Sequence, residues 1–185
     1  MENSSSPQEW VERYGDMLFQ YTLARVNDRE LAEDLVQDCF LSALKAREKF
    51  REESTEKTWL FAILKNKIID HYRRRARKIE TEGSTIPDED QDFFTEEGGW
   101  QRDRMPAAWD ADRIEIENKE LGMLLHHCKN GLKNLVREVY ILKYLEDMAP
   151  AEICKVLNIS SSNYWILLHR ARLQMRECIE KKWIK

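Results

Sequence analysis

Five of the six residues from Arg73 to Lys78 are cationic, and Asp70 is the one acid among the eight Lys and Arg between Lys57 and Lys78. The chemistry open to such a block is neutralisation of a polyanion. Helix C-termini favour cations through the macrodipole by about 0.3–1 kcal/mol each, which accounts for one or two of these side chains. It does not account for five, whose mutual repulsion is only partly screened at physiological salt. A nucleic-acid backbone is the better explanation, with Lys65, Arg73, Arg74, Arg75 and Arg77 set against phosphates. Asn66 and Tyr72 lie beside these cations and are of types that read or stack on bases.

Other reactive residue types give weaker patterns. "HHC" at His126 to Cys128 invites a metal, but adjacent residues point to different helix faces and no second cluster accompanies them. No metal and no cofactor are expected. The four cysteines, Cys39, Cys128, Cys154 and Cys178, form no CxxC pair and are expected to be reduced, mostly buried thiols. Carboxylates are concentrated in one acidic stretch and on one helix face, not in a cluster suited to metal-dependent hydrolysis. A nuclease acting through a metal is therefore not the expected reading.

The elements that must position these residues are helical throughout. The formal net charge of −4 averages two opposite segments. From Glu80 to Glu120 there are fourteen Asp or Glu against four Lys or Arg, with no helical period over most of that length. That stretch reads as a linker. The resulting organisation is all-α: a small helical domain over residues 1–79, a flexible acidic linker over 80–113, and a second helical domain over 114–185.

In the first domain a helix spans about Gln8 to Arg25. "NDRE" follows, with Asn27 as the expected cap and Glu30 completing a capping box. Leu31, Ala32, Leu35, Val36, Cys39, Phe40, Ala43 and Leu44 then form a broad stripe expected to be buried. The opposite face carries Glu33, Asp34, Gln37 and Asp38, for which periodicity alone implies simple solvation. A third helix starts near Thr58, with Trp59, Leu60, Ile63, Leu64 and Ile68 on its buried side.

In the second domain Leu132, Leu135, Val136, Val139 and Leu142 share one helical face. "MAPAEICKVLNISSSNYWILLHRARLQMREC" then has the layout of a helix-turn-helix. Pro150 suits a first turn, Asn158 a left-handed tight turn, and Ser160 the cap of a second helix. The start of that second helix is the part that enters a major groove.

No stretch approaches the roughly 18 uninterrupted apolar residues of a membrane span, and "MENSSSPQEW" lacks the basic-then-apolar order of a secretory signal. A soluble, cytoplasmic protein without membrane insertion is expected.

In order and spacing, "AEDLVQDCFLSALKA", "TWLFAILKNKIIDHYRRRAR", "EICKVLNIS" and "LHRARLQMREC" resemble the extracytoplasmic-function (ECF) sigma factors of bacterial RNA polymerase. The resemblance implies a factor that binds core polymerase, recognises minus-ten and minus-thirty-five promoter elements and helps melt the duplex. It implies that Asp34, Gln37 and Asp38 dock on the clamp helices of the largest polymerase subunit. Asn66 would read the melted non-template strand, and the loop from Glu48 to Lys57 would take a flipped base, with Arg73 to Arg77 on phosphates. Ser161, Ser162, Asn163 and Trp165 would face the minus-thirty-five duplex, while Arg170 and Arg172 would contact phosphates. An anti-sigma factor is the further partner implied. The alternatives are a dimeric helix-turn-helix regulator acting without polymerase, which needs palindromic sites, and a helical nuclease, which needs clustered carboxylates.

Some positions depart from the family's pattern. Lys133 stands where proline is usual, and Cys154 where a small alanine is usual. "YWILL" fills positions 164 to 168, usually polar and basic. Tyr164 and Leu168 can face the core, but Trp165, Ile166 and Leu167 cannot all do so. Either they touch thymine methyls or they form a protein-binding patch, and the patch is the favoured reading. Phe93, Phe94, Trp100 and Trp109 in the acidic linker are costly to leave in water, so the linker is expected to dock, on its own domains or on polymerase.

Overall fold

The computed structural model describes residues 7–47, 50, 54–81, 101–102, 105 and 118–183. Among these the chain forms seven helices and no strand: α1 (Pro7–Val26), α2 (Arg29–Ala46), α3 (Glu56–Thr81), α4 (Asn118–Gly131), α5 (Asn134–Tyr144), α6 (Pro150–Leu157) and α7 (Ser161–Trp183). The chain divides into two compact units, Met1–Ala76 and Arg77–Lys185. The expected all-α class is thus present. The acidic stretch 80–113 and its aromatic residues Phe93, Phe94, Trp100 and Trp109 lie outside the described residues.

The first unit is organised by α3. Leu60, Leu64, Ile68, Tyr72 and Ala76 recur every fourth residue and are all buried. This apolar row therefore runs two turns further than the expected buried side, into the basic block. Trp10, Leu18 and Val26 of α1 and Leu35, Cys39 and Ala43 of α2 are buried in the same unit. Trp10 meets Trp59 edge-on at 5.7 Å and donates through Nε1 to Glu56 Oε1 at 3.2 Å. The Cys39 thiol donates to the Leu60 carbonyl at 3.4 Å, and burial pushes its pKa up to about 11. It is an inert core group.

Two local details differ from expectation. The cap of α2 is Asp28, whose side chain accepts from the Leu31 N–H at 3.1 Å, whereas Asn27 takes a φ of 55° after α1. Asn27 and Asp28 thus divide the work: one reverses the chain and the other caps. Leu44, placed in the buried stripe by its spacing, is 47% exposed. The buried row Ala32, Leu35, Val36, Cys39, Ala43 drifts round the helix, and Leu44 falls off its edge.

In the second unit, Leu132, Leu135, Val136, Val139 and Leu142 are all buried, as their shared face predicts. The helix-turn-helix is present in detail. Pro150 opens α6, and Asn158 adopts the left-handed conformation (φ 51°, ψ 48°) while its N–H reaches the Cys154 carbonyl. Ser160 Oγ accepts from the Asn163 N–H at 3.1 Å, capping α7. Ile153, Val156 and Leu157 of α6 and Tyr164, Leu167, Leu168 and Ala171 of α7 are buried in this unit.

The cysteine expectation is overturned for one pair. Cys128 of α4 and Cys178 of α7 are joined by a disulfide with their Cα atoms 5.7 Å apart, closing a sequence separation of 50. Cys39 and Cys154 are the free thiols. Spacing could not show the pair, because connectivity between distant cysteines is set by the fold. Among the described residues no group of three or more His, Cys, Asp and Glu could hold a metal ion.

Candidate nucleic-acid interface

On α3 the residues opposite the apolar row form one outward ridge. Asn66, Asp70, Arg73 and Arg77 follow at steps of four, three and four, and all are exposed. The helix thus places the candidate base reader and two candidate phosphate ligands in line. Asp70 sits between them and bonds Arg73 Nη1 at 2.7 Å. This exposed pair adds little stability, but it orients the guanidinium along the ridge. Arg74 is exposed beside the ridge, and Arg75 and Lys65 are half-buried.

Tyr72 does not join this surface. It is 2% exposed, and its hydroxyl donates to the Arg25 carbonyl at 2.8 Å. Its ring belongs to the α3 core row and pins α3 to α1, so it cannot stack on a base. The fourfold spacing from Leu60 through Ile68 already leads to this position. His71 has its pKa lowered by burial, then by the neighbouring Arg75 and Arg74, against the opposing pull of Asp28. It therefore remains neutral at neutral pH and adds no cation to the block.

In the loop before α3 the described residues show Phe50 packed on Trp59 at 4.7 Å and Thr55 Oγ1 accepting from the Thr58 N–H at 3.2 Å. Glu48, Lys49 and residues 51–53 of the expected flipped-base pocket lie outside the described residues.

On α7, Ser161 and Ser162 are exposed, Asn163 is half-buried, and Trp165 is exposed, all at the N-terminal end of the second motif helix. Arg172 is exposed, with Nε donating to the Tyr144 hydroxyl at 2.8 Å. Arg170 is different: it is only 7% exposed and turned into the second unit, so the expected phosphate contact is corrected. The reason is helical phase, since Arg170 lies between the buried Leu167 and Leu173 at steps of three residues. Leu167 is likewise fully buried, which removes it from the expected apolar patch.

On α2, Asp34, Gln37 and Asp38 are exposed on one face, as expected. That face continues into an apolar groove between α1 and α2 that sequence reasoning did not find. The groove encloses about 580 Å³ and is lined by Val11, Phe19, Gln37, Phe40, Leu41 and Leu44 among others. Leu41 is 55% exposed, one turn beyond Gln37. The signal is Leu41, which is apolar yet has no place in the α2 core row, and Leu44, which the expected stripe counts as buried although it lies off that row.

Comparison with known proteins agrees with this layout. Residues 10–78 match Sigma-70 region 2, and residues 122–175 match Sigma-70, region 4. The chain is 34% identical over 165 residues to a probable RNA polymerase sigma factor of Haemophilus influenzae, covering 89% of this chain and 85% of that one. It is 25% identical to the ECF RNA polymerase sigma factor SigM of Bacillus subtilis, over 91% of each chain. The sigma factor RpoE of Bartonella quintana, solved in complex with the anti-sigma factor NepR, matches with a TM-score of 0.44 at 20% identity, covering 94% of this chain and 96% of that one. Both regions occur in order in one chain, which does not favour a dimeric regulator acting without polymerase. The chain belongs to the ECF sigma factors, the promoter-recognising initiation factors of bacterial RNA polymerase.

Proposed function

We propose that this chain binds core polymerase through the outward face of α2, reads the melted minus-ten non-template strand with the α3 ridge, and reads the minus-thirty-five duplex with α6 and α7. The single observation that carries the reading is the alignment of Asn66, Arg73 and Arg77 on one exposed face of α3. Extruding a base from the duplex costs a few kcal/mol, which must be recovered by contacts to the base and by phosphate neutralisation. A ridge that presents an amide and two guanidiniums in line meets both needs.

On α2, Asp34, Gln37 and Asp38 supply a polar rim beside the apolar groove. A mixed surface of this kind suits a helical partner such as the clamp helices of the largest polymerase subunit. An anti-sigma factor would compete for surfaces of the same kind. The domains act from residues 1–79 and 114–185, with the acidic segment 80–113 between them. The factor works in the cytoplasm, beside DNA and polymerase, and has no catalytic step of its own. Among the described residues no helix is long and apolar enough to cross a membrane.

Two variants separate the roles on α3. Arg74→Ala combined with Arg77→Ala should weaken binding to single-stranded minus-ten oligonucleotides by a similar factor for every sequence. The slope of log affinity against log salt should become shallower by about 1–2, since each single-strand phosphate contact contributes about 0.7. Asn66→Ala should leave that slope in place and reduce discrimination between oligonucleotides. Fluorescence anisotropy over a salt series measures both, and an unchanged slope in the arginine variant would sink the phosphate assignment.

A further inference from the structure

Up to Arg172 the exposed residues of α7 are Ser161, Ser162, Trp165, Ile166, His169 and Arg172. At 3.6 residues per turn these occupy one arc of about 140°. Within that arc the serines lie at the N-terminal end and the histidine and arginine at the C-terminal end. Trp165 and Ile166, 55% and 46% exposed, lie between them. With Leu167 and Tyr164 fully buried, the apolar surface is two side chains ringed by polar ones. Protein-docking patches run to several hundred Å² of contiguous apolar surface, so this island is small for that use.

The position of the island identifies a better occupant. It sits in the middle of the helix face that a helix-turn-helix lays into a major groove. The floor of that groove offers one kind of apolar group, the C5-methyl of thymine. The indole is also held in place, because the Tyr164 ring meets Trp165 at 5.0 Å and an interplanar angle of 71°. A side chain ordered beforehand loses less freedom on binding.

We infer that Trp165 and Ile166 read thymine methyl groups in the minus-thirty-five duplex, so that methyl contacts set part of this chain's promoter preference. The inference rests on the reading of α6 and α7 as the duplex-binding motif. It replaces the protein-binding patch favoured from sequence, because Leu167 is not available to that patch.

Deoxyuridine tests it, since it keeps thymine's pairing and its O4 acceptor and lacks only the methyl. The full-length chain, assembled with core polymerase, selects duplexes from a pool randomised upstream of the minus-ten region. The selected duplexes are remade with deoxyuridine at each upstream thymine in turn. At one or two positions affinity should fall about fourfold, the effect of one methyl's burial. A Trp165→Gln, Ile166→Gln variant should bind both forms alike, which also controls for altered stacking of the DNA. Both side chains are exposed, and a thermal melt of the variant verifies that it folds.

Equal affinity of the unmodified chain for the thymidine and deoxyuridine duplexes would overturn the inference and leave the duplex-binding motif standing. A pool that enriches no upstream sequence at all would overturn the motif reading, and the inference with it.

Discussion

Reduction of the Cys128–Cys178 bridge should destabilise the second unit by about 2–4 kcal/mol. The bridge closes a separation of 50 residues between α4 and α7, and cross-linking such a loop removes about 4 kcal/mol of chain entropy from the unfolded state. Loss of native packing is a smaller effect, because two thiols fill nearly the same space as the disulfide. Cys128 is 2% exposed and Cys178 half-buried, so a reductant reaches the bond from the α7 side. In thermal melts with and without dithiothreitol, the second unit should melt about 10 °C or more lower when reduced. Cys178→Ser should reproduce the reduced curve and abolish its response to dithiothreitol. Identical melts under both conditions would show that the bridge does not form in solution. The buried Cys39, with its raised pKa, should stay unalkylated in either state until the first unit unfolds.

Leu41→Glu should cost at least about 2 kcal/mol of core-polymerase affinity, roughly a thirtyfold rise in Kd. Leu41 occupies the middle of the α2 face, between the carboxylates of Asp34 and Asp38 and the exposed Leu44. A residue so placed loses its apolar contact on substitution and also buries a new charge when the partner docks. The rim carboxylates should behave differently. Asp34→Ala should act mainly on association rate and its salt dependence, as exposed charges do. Because Leu41 is 55% exposed in the free chain, its substitution should not disturb folding, and a thermal melt separates the two effects. Unchanged affinity for core polymerase would remove the groove from the docking surface.

What could be read from sequence follows the range of the interactions involved. Asn158 and Ser160 were legible because a left-handed turn and a side-chain cap are settled by neighbours within a few residues. The all-α class and the core row of α5 were legible because periodicity repeats over several turns. Tyr72 and Arg170 were misassigned because their types suit nucleic acid, while their helical phase turns both inward. For Tyr72 the row Leu60, Leu64, Ile68 gives that phase, and the chemical type outweighed it. Leu41 and Leu44 fall outside the buried row Ala32, Leu35, Val36, Cys39 and Ala43, so helical phase already marks both as exposed. The disulfide depends on α4 and α7 meeting across 50 residues, which no local pattern records.

In the proposed function this chain gives core polymerase its promoter choice, with Asn66 as a reader of the minus-ten strand. The most direct measurement is transcription in vitro by purified core polymerase on a library of promoter fragments, with and without the full-length chain. Discrete start sites should appear only when the chain is present, and Asn66→Ala should redistribute them among fragments that differ in the minus-ten element. A chain that neither binds core polymerase nor yields initiation from any fragment would contradict the account.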